Sequence, residues 1–310
     1  VDEPRFRDVE RRLWSFVGVT PDERWGRLPT GERVRIQVVG DGPPALFVHG
    51  GSVSGTTWAT LAASLPGVRC LLLDRPGCGL SEPLAVPPTD LDAVAAYADR
   101  LVADVLDAFE IERGHVVATS AGGYFALRGA AAHPERVDRL VELSWPVGTP
   151  IEQVPFAMRI ASVPGLGRLM ARVPPTRAMA RSMLRQVGLR RALETGRFTD
   201  EMLDWFVSVL RDTDTMANEL RSLPRVITPV AGMNQGLLLD DELLARITAP
   251  VQLIWGSDDP NGGAEMARTL AGRLPGAELH LLDGAGHAPW IDEPDACADL
   301  IRRFLQGGGP

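Results

Sequence analysis

The chain has no lysine at all; its 32 basic residues are all arginine. Coding bias is the simplest cause, and no function is drawn from it. Cysteine is scarce and odd in number. Cys70, Cys78 and Cys297 stand at unrelated spacings, which argues against a disulfide framework or a zinc site and fits a reducing compartment, so a cytoplasmic location is expected. There is no run of about eighteen apolar residues, hence no expected transmembrane segment. The opening VDEPRFRDVERRLW is charged and lacks an apolar core, so it does not read as a secretory signal. Positive charge is outweighed: the formal net charge is −8, which argues against general nucleic-acid binding. Internal repeats, a metal-ligand cluster and a phosphate-binding glycine loop at a strand–helix junction are all missing, so no cofactor or metal is expected.

What remains is ordinary globular material: 310 residues, 45% hydrophobic, with mean hydropathy near zero. That length suits one large α/β domain with an insertion, or two small domains. Most of the chain alternates strand and helix patterns. Arg5–Val17 carries Phe6, Val9, Leu13, Phe16 and Val17 on one helical side and should pack on the outside of the main domain. Arg24–Leu28 and Arg33–Val39 read as an entry hairpin, and Ala45–Val48 and Arg69–Leu73 as short buried strands. Thr89, with Asp92 three residues on, resembles a helix cap before a stripe running to Phe109. Leu140–Leu143, Pro250–Trp255 and Glu278–Leu282 are further strands. Helices are expected over Gly263–Leu274 and Pro294–Leu305, and a disordered tail over Gly307–Pro310.

From Pro146 to about Ser222 the alternation stops. Only helical patterns appear, broken at Pro164-Gly165, Pro174-Pro175 and Gly196, which reads as a helical lid inserted into the sheet domain. The expected division is therefore a core of residues 1–145 and 223–310 with a lid of residues 146–222. The lid is rich in methionine and holds Trp205 and Phe206; these residues either form its own core or line an apolar pocket. Ile151–Arg197 holds nine arginines against Glu152 and Glu194 alone. Arg177, Arg181 and Arg185, four residues apart, read mainly as a solvated face, with steering of anionic substrates or lipid surfaces as the alternative.

The stretch His115–His133 organises the rest. A β-branched run, His115–Thr119, passes into the small, helix-favouring Ala121–Ala132 through a single residue, Ser120. Such a sharp turn demands small neighbours and holds the serine hydroxyl out at the end of the sheet, with the first helical N–H groups aimed at whatever it attacks. Ala118 stands where the nucleophile-elbow pattern G-x-S-x-G has its first glycine. The plainer alternative is a serine that merely caps a helix. A serine hydroxyl needs a base, and the base an orienting acceptor. His287, in the glycine-rich Asp283–Trp290 loop, and the acids of Gly256–Asp259 both follow later strands, whose loops gather at the carboxyl edge of a parallel sheet. In His49-Gly50-Gly51-Ser52 the glycines suit an anion hole, while His49 reads as a turn-stabilising residue. His115, His133 and His280 lie in no motif.

Four blocks in order, HGGS, DRPGCGLS, ATSAGG and WGSDD…GAGHAPW, resemble the α/β-hydrolase fold family in its lidded, single-chain form, over about Arg33 to Leu305. The resemblance implies an α/β fold, a mostly parallel twisted sheet flanked by helices with an inserted helical lid. It implies catalytic Ser120, Asp259 and His287; Asp259 is preferred to Asp258 because the family's acid stands three after the Trp-Gly glycine. It further implies an oxyanion hole of the Gly51 and Ala121 amides, with the Ser52 hydroxyl as a further donor. Ser52, Trp145, Met158, Met183, Trp205 and Trp290 are candidate substrate contacts. Haloalkane dehalogenases and epoxide hydrolases of this fold carry an aspartate where Ser120 stands. The expected function is a serine hydrolase cleaving a carboxylic ester of an apolar small molecule. Alternatives sharing the triad are carbon–carbon (meta-cleavage-type), lactone or thioester hydrolysis and perhydrolysis; from another class comes a ligand receptor that does not turn over. The expected partner is a small molecule, with oligomeric state open.

Overall fold

A computed structural model describes residues 1–307 apart from 152, 153, 155, 164, 171, 172, 229 and 231, and leaves out the side chains of 156, 157 and 168. The break at Pro164, the acid Glu152, Arg172, the Arg168 side chain and tail residues 308–310 therefore lie outside the described residues.

Eight strands form one sheet: β1 (Asp22–Arg27), β2 (Arg33–Val39), β3 (Pro44–Val48), β4 (Arg69–Leu73), β5 (Gly114–Thr119), β6 (Val137–Leu143), β9 (Val251–Gly256) and β10 (Glu278–Leu282), with β7 (Ile227–Thr228) and β8 (Gly232–Met233) making a separate hairpin. The sheet order is β1-β2-β4-β3-β5-β6-β9-β10; β1 and β2 are antiparallel to their neighbours and the rest run parallel. The parallel strands are covered on both faces, which is why β5 reads as a continuous apolar run with all six residues buried.

The helices are α1 (Glu3–Val17), α2 (Ala59–Ala63), α3 (Leu91–Ala108), α4 (Ala121–Ala132), α5 (Phe156–Ala161), α6 (Leu166–Met170), α7 (Arg177–Gln186), α8 (Arg190–Glu194), α9 (Asp200–Asp212), α10 (Thr215–Val226), α11 (Asp241–Ala245), α12 (Ala264–Arg273), α13 (Pro289–Asp292) and α14 (Pro294–Leu305). One face of the sheet packs on α3, α4, α11 and α12 through Leu101, Val105, Leu127, Leu244 and Leu270. The other packs on α2, the Gly55–Trp58 turn before it and α14 through Trp58, Leu61, Ile301 and Phe304.

Most sequence boundaries fall within a few residues of the observed ones. Three differ in substance. Asp90, not Thr89, caps α3: its carboxylate accepts the Ala93 N–H at 2.8 Å, which the shorter, β-branched threonine one residue earlier is not placed to do. The helical segment does not stop near Ser222; α10 continues to Val226 with Pro224 inside it, then gives way to the β7–β8 hairpin. And α1 is not simply external. It buries Phe6, Val9, Leu13 and Trp14 against α9 and α2, and Glu10 reaches the fully buried guanidinium of Arg35 at 2.6 Å. Asp74 lies 2.9 Å from Arg35 and Glu23 lies 3.4 Å from it, so this buried cation has three carboxylate partners, as burial of charge requires.

The candidate active site

Register sets the site. Thr119, Leu143, Ile254 and His280 lie side by side across β5, β6, β9 and β10, so the loops that follow them open at one edge. Ser120 comes immediately after Thr119 and has φ 55°, ψ −120°, a conformation that costs an L-residue on the order of 1–3 kcal/mol and persists only when its surroundings enforce it. Those surroundings are tight. A Cβ on Gly122 would drive into the Val48 carbonyl, and one on Gly123 into the Glu142 carboxyl. The Ser120 carbonyl accepts N–H bonds from Gly123 at 3.1 Å and Val147 at 3.0 Å. Ser120 itself stays half-buried, its Cβ 3.0 Å from where a Gly50 Cβ would stand.

His287 Nδ1 lies 2.8 Å from Asp259 Oδ2. Asp259 is buried and held by two backbone donors, Trp145 N–H at 3.1 Å and Asn261 N–H at 2.9 Å. Asp258, by contrast, is exposed and accepts from the Ser257 hydroxyl. The side-chain amide of Asn261 also reaches His287 Nδ1, at 3.2 Å. The Asp259 contact engages Nδ1 and fixes the orientation of the ring, with Asn261 packed beside the same nitrogen. Asn261 was missed in the sequence; its only signal is a place two residues after Asp259 in the same turn.

The His49–Ser52 loop flanks Ser120 on the other side. His49 is fully buried; its Nε2 accepts the Arg75 N–H at 3.1 Å and its Nδ1 lies 2.7 Å from the Gly50 carbonyl, while burial and the Arg75 cation hold its pKa well below the ordinary value. The ring is thus a neutral, loop-fixing group. Gly51 is exposed and Ser52 half-buried with φ 61°. Ala121 opens α4, whose first N–H groups have no partner within the helix.

The other candidate contacts scatter. Trp145 lies at the site, its ring centroid 6.5 Å from that of His287 and its indole N–H on the Pro150 carbonyl. Trp290 is buried against Trp58, ring centroids 4.5 Å apart, and faces the core rather than the cleft. Trp205 is buried in the α1–α9 packing, where it borders a cavity of about 10 Å³ with Leu13 and Met202. Met183 is half-buried against that same core cluster, and Met158 is exposed. Arg177 pairs with Asp200 and Asp204, and Arg181 with Asp200, so two of the three spaced arginines are spent on α9.

One buried group beneath the turn carried no sequence signal. Glu142, on β6, is fully buried, with only the Ser120 backbone N–H approaching its carboxyl; burial outweighs that contact and pushes its pKa well above the usual carboxylate range, which favours the neutral form. Among the described residues there is no cluster of His, Cys, Asp and Glu able to hold a metal ion, and no helix long and apolar enough to cross a membrane.

A positive-φ serine between a parallel strand and a helix, with a histidine–aspartate pair in loops that follow later strands at the same sheet edge, is the arrangement of the α/β hydrolases. The profile of the alpha/beta hydrolase family matches residues 45–300, and the chain belongs to that family. Among its relatives is an uncharacterized protein of Mycobacterium tuberculosis, 30% identical over 307 residues, covering 97% of this chain and 86% of that one. Another is the 2-hydroxy-6-oxononadienedioate/2-hydroxy-6-oxononatrienedioate hydrolase of Burkholderia vietnamiensis, 30% identical, covering 96% of this chain and 97% of that one. Of the solved structures, a carboxylesterase from Bacillus subtilis superposes with a TM-score of 0.77 at 20% identity, covering 99% of both chains. The 2-hydroxy-6-oxo-6-phenylhexa-2,4-dienoate hydrolase of a Rhodococcus strain superposes with 0.75 at 22% identity, covering 93% of this chain and all of that one. The two structural likenesses bear on the fold.

Proposed function

We propose that this hydrolase cleaves a carboxylic ester of an apolar small molecule through an acyl-enzyme, with the helical segment from residue 146 to the end of α10 acting as a lid on the sheet domain. The observation that carries the reading is the 2.8 Å contact of His287 with a buried, doubly hydrogen-bonded Asp259 at the same strand edge as the strained Ser120. Asp259 accepts the Nδ1 proton, which leaves Nε2 as the base. His287 takes the Ser120 proton as Oγ attacks the carbonyl. The developing oxyanion is received by the Gly51 and Ala121 amides, each donor of this kind being worth ~3 kcal/mol in the transition state. His287 then protonates the leaving alcohol, and water, activated by the same ring, releases the acid. Turnover of short p-nitrophenyl acyl esters by the wild type, and its loss by about 10⁴-fold or more in Ser120→Ala, is the expected result; equal rates would end the reading.

Carbon–carbon bond hydrolysis of a dienoate is the second reading, favoured by the 30% identity to the Burkholderia enzyme over nearly its whole length. A 2-hydroxy-6-oxo-dienedioate assayed beside the esters separates the two by relative kcat/KM.

A further inference from the structure

The helical segment reaches the His49–Ser52 loop through one face of α10. Thr215, Asn218 and Glu219, spaced i, i+3, i+4, all touch the sheet domain: the Thr215 hydroxyl accepts the Gly79 N–H at 2.9 Å, and the Asn218 amide donates to the Gly77 carbonyl at 2.8 Å. Glu219 goes deeper. Its Oε1 accepts from Arg75 Nη2 at 2.8 Å and from the Cys78 thiol at 3.4 Å, and the same Arg75 nitrogen donates to the Gly50 carbonyl at 2.8 Å. The other oxygen, Oε2, is turned to the loop itself, 3.5 Å from where a Gly51 Cβ would stand. Ser120 Oγ lies 3.5 Å from the equivalent point on Gly50. Adjacent Cα atoms are about 3.8 Å apart, so Oε2 is at most about 14 Å from the Ser120 hydroxyl.

The two oxygens are thus in different situations. Oε1 is fixed by a buried guanidinium. Oε2 keeps its lone pairs beside a loop whose amide is to receive negative charge, and the side chain is about a quarter exposed. A second anion brought to that place by the substrate would meet a carboxylate oxygen with no donor between them; a hydroxyl or amine would supply the missing donor. We propose that Glu219 is a specificity residue of this site, its Oε2 accepting a hydrogen bond from a single hydroxyl or amino group on an otherwise apolar substrate and rejecting a carboxylate at the same position.

This inference rests on the ester reading above, and the test separates the two. Ethyl butyrate, ethyl 3-hydroxybutyrate and monoethyl succinate are compared by kcat/KM, with covalent labelling of Ser120 by a simple alkyl fluorophosphonate as the independent check on the nucleophile. Wild type is expected to favour the hydroxy ester over ethyl butyrate by about tenfold and to disfavour the succinate by at least as much. Glu219→Gln keeps an acceptor oxygen and drops the charge, so the hydroxy preference is retained while the penalty on the succinate disappears. Glu219→Leu loses both. If the residue only fastens the lid, all three esters shift by one common factor in both variants, and the proposal falls. A wild-type preference for the succinate overturns it as well. Absence of labelling, or labelling without turnover of any of the three esters, removes the ester reading and this inference with it.

Discussion

The ends of the central strands and helix α10 of the 156–226 segment meet at the His49–Ser52 loop, yet they are held there by different forces. Strand ends are fixed by the hydrogen-bond ladder and by contacts so close that single methyl groups would not fit, as at Gly122 under Val48. The helical segment is fastened to the Asp74–Ser81 loop by a handful of polar bonds from α10, and its α5–α6 part exposes Met158, Leu166, Leu169 and Met170. Position in the first region is over-determined; in the second, α9 is anchored by apolar packing on α1, while the approach of α10 to the site rests on few polar bonds. Groups that must hold a reacting atom to within an ångström belong to the former; groups that select among substrates can sit on the latter.

That contrast is broken most directly at the acid. Asp259→Asn should lower kcat by about 10³–10⁴-fold with the fold intact, since an amide at that place reverses the hydrogen bond that selects the His287 tautomer. Asp258→Asn, on an exposed side chain one residue earlier, should change kcat little. Steady-state kinetics with far-UV circular dichroism as the control decides it; similar losses in both would mean that the buried site is not where the base is oriented.

Next in size is a pair of glycine substitutions. Gly122→Ala forces a methyl group into the Val48 carbonyl and should cost about 3 kcal/mol or more, or prevent folding. Gly196→Ala, in the helical segment, meets nothing within 4 Å and pays only for its φ of 74°, about 1 kcal/mol. Urea unfolding of both measures the difference, and near-equal costs would dissolve the distinction between the regions.

Much of the sheet and of the site was legible because both follow from local rules. A β-branched run ending in Ser120 and small residues forces a tight turn, and loops after parallel strands gather at one edge whatever their sequence. Asp259 over Asp258 was reached through family resemblance, and the structure supplies a physical reason: two backbone N–H groups converge on Asp259. What stayed hidden depends on contacts between residues far apart in the chain. Nothing around Arg35 marks it as an ion pair with Glu10 and Asp74, and nothing around Glu142 says that its carboxyl lies beneath the Ser120 turn. The tryptophans show the same limit. Trp145, Trp205 and Trp290 look alike as candidate contacts, yet one lies beside His287, one in the α1–α9 packing and one on Trp58.

Glu142 offers a smaller but well-signed effect. In the folded protein its proton is retained well above the ordinary range, whereas the unfolded chain releases it near pH 4.5. The folded state therefore binds more protons above that pH, and this residue makes stability fall as pH rises, by up to about 1.4 kcal/mol per pH unit until its folded pKa is passed. Glu142→Gln removes the slope. The two proteins should unfold at similar urea concentrations near pH 4, with the variant becoming the more stable one by pH 7; parallel curves across that range would mean that the buried carboxyl is not held neutral.

The smallest expected effect probes the weaker region directly. Asn218→Ala removes the bond to the Gly77 carbonyl without touching Ser120, Asp259 or His287. One neutral hydrogen bond contributes about 1 kcal/mol, too little to unfold a domain but a large share of what fastens α10. Its loss should raise amide exchange in α10 and in the Asp74–Ser81 loop several-fold while leaving exchange in β5 and β9 unchanged, because local opening draws on the bonds of the opening unit and not on those of the sheet. Uniform acceleration across both regions would show that the helices and the strands open as one unit, and that the few contacts of α10 are coupled to the ladder beneath them.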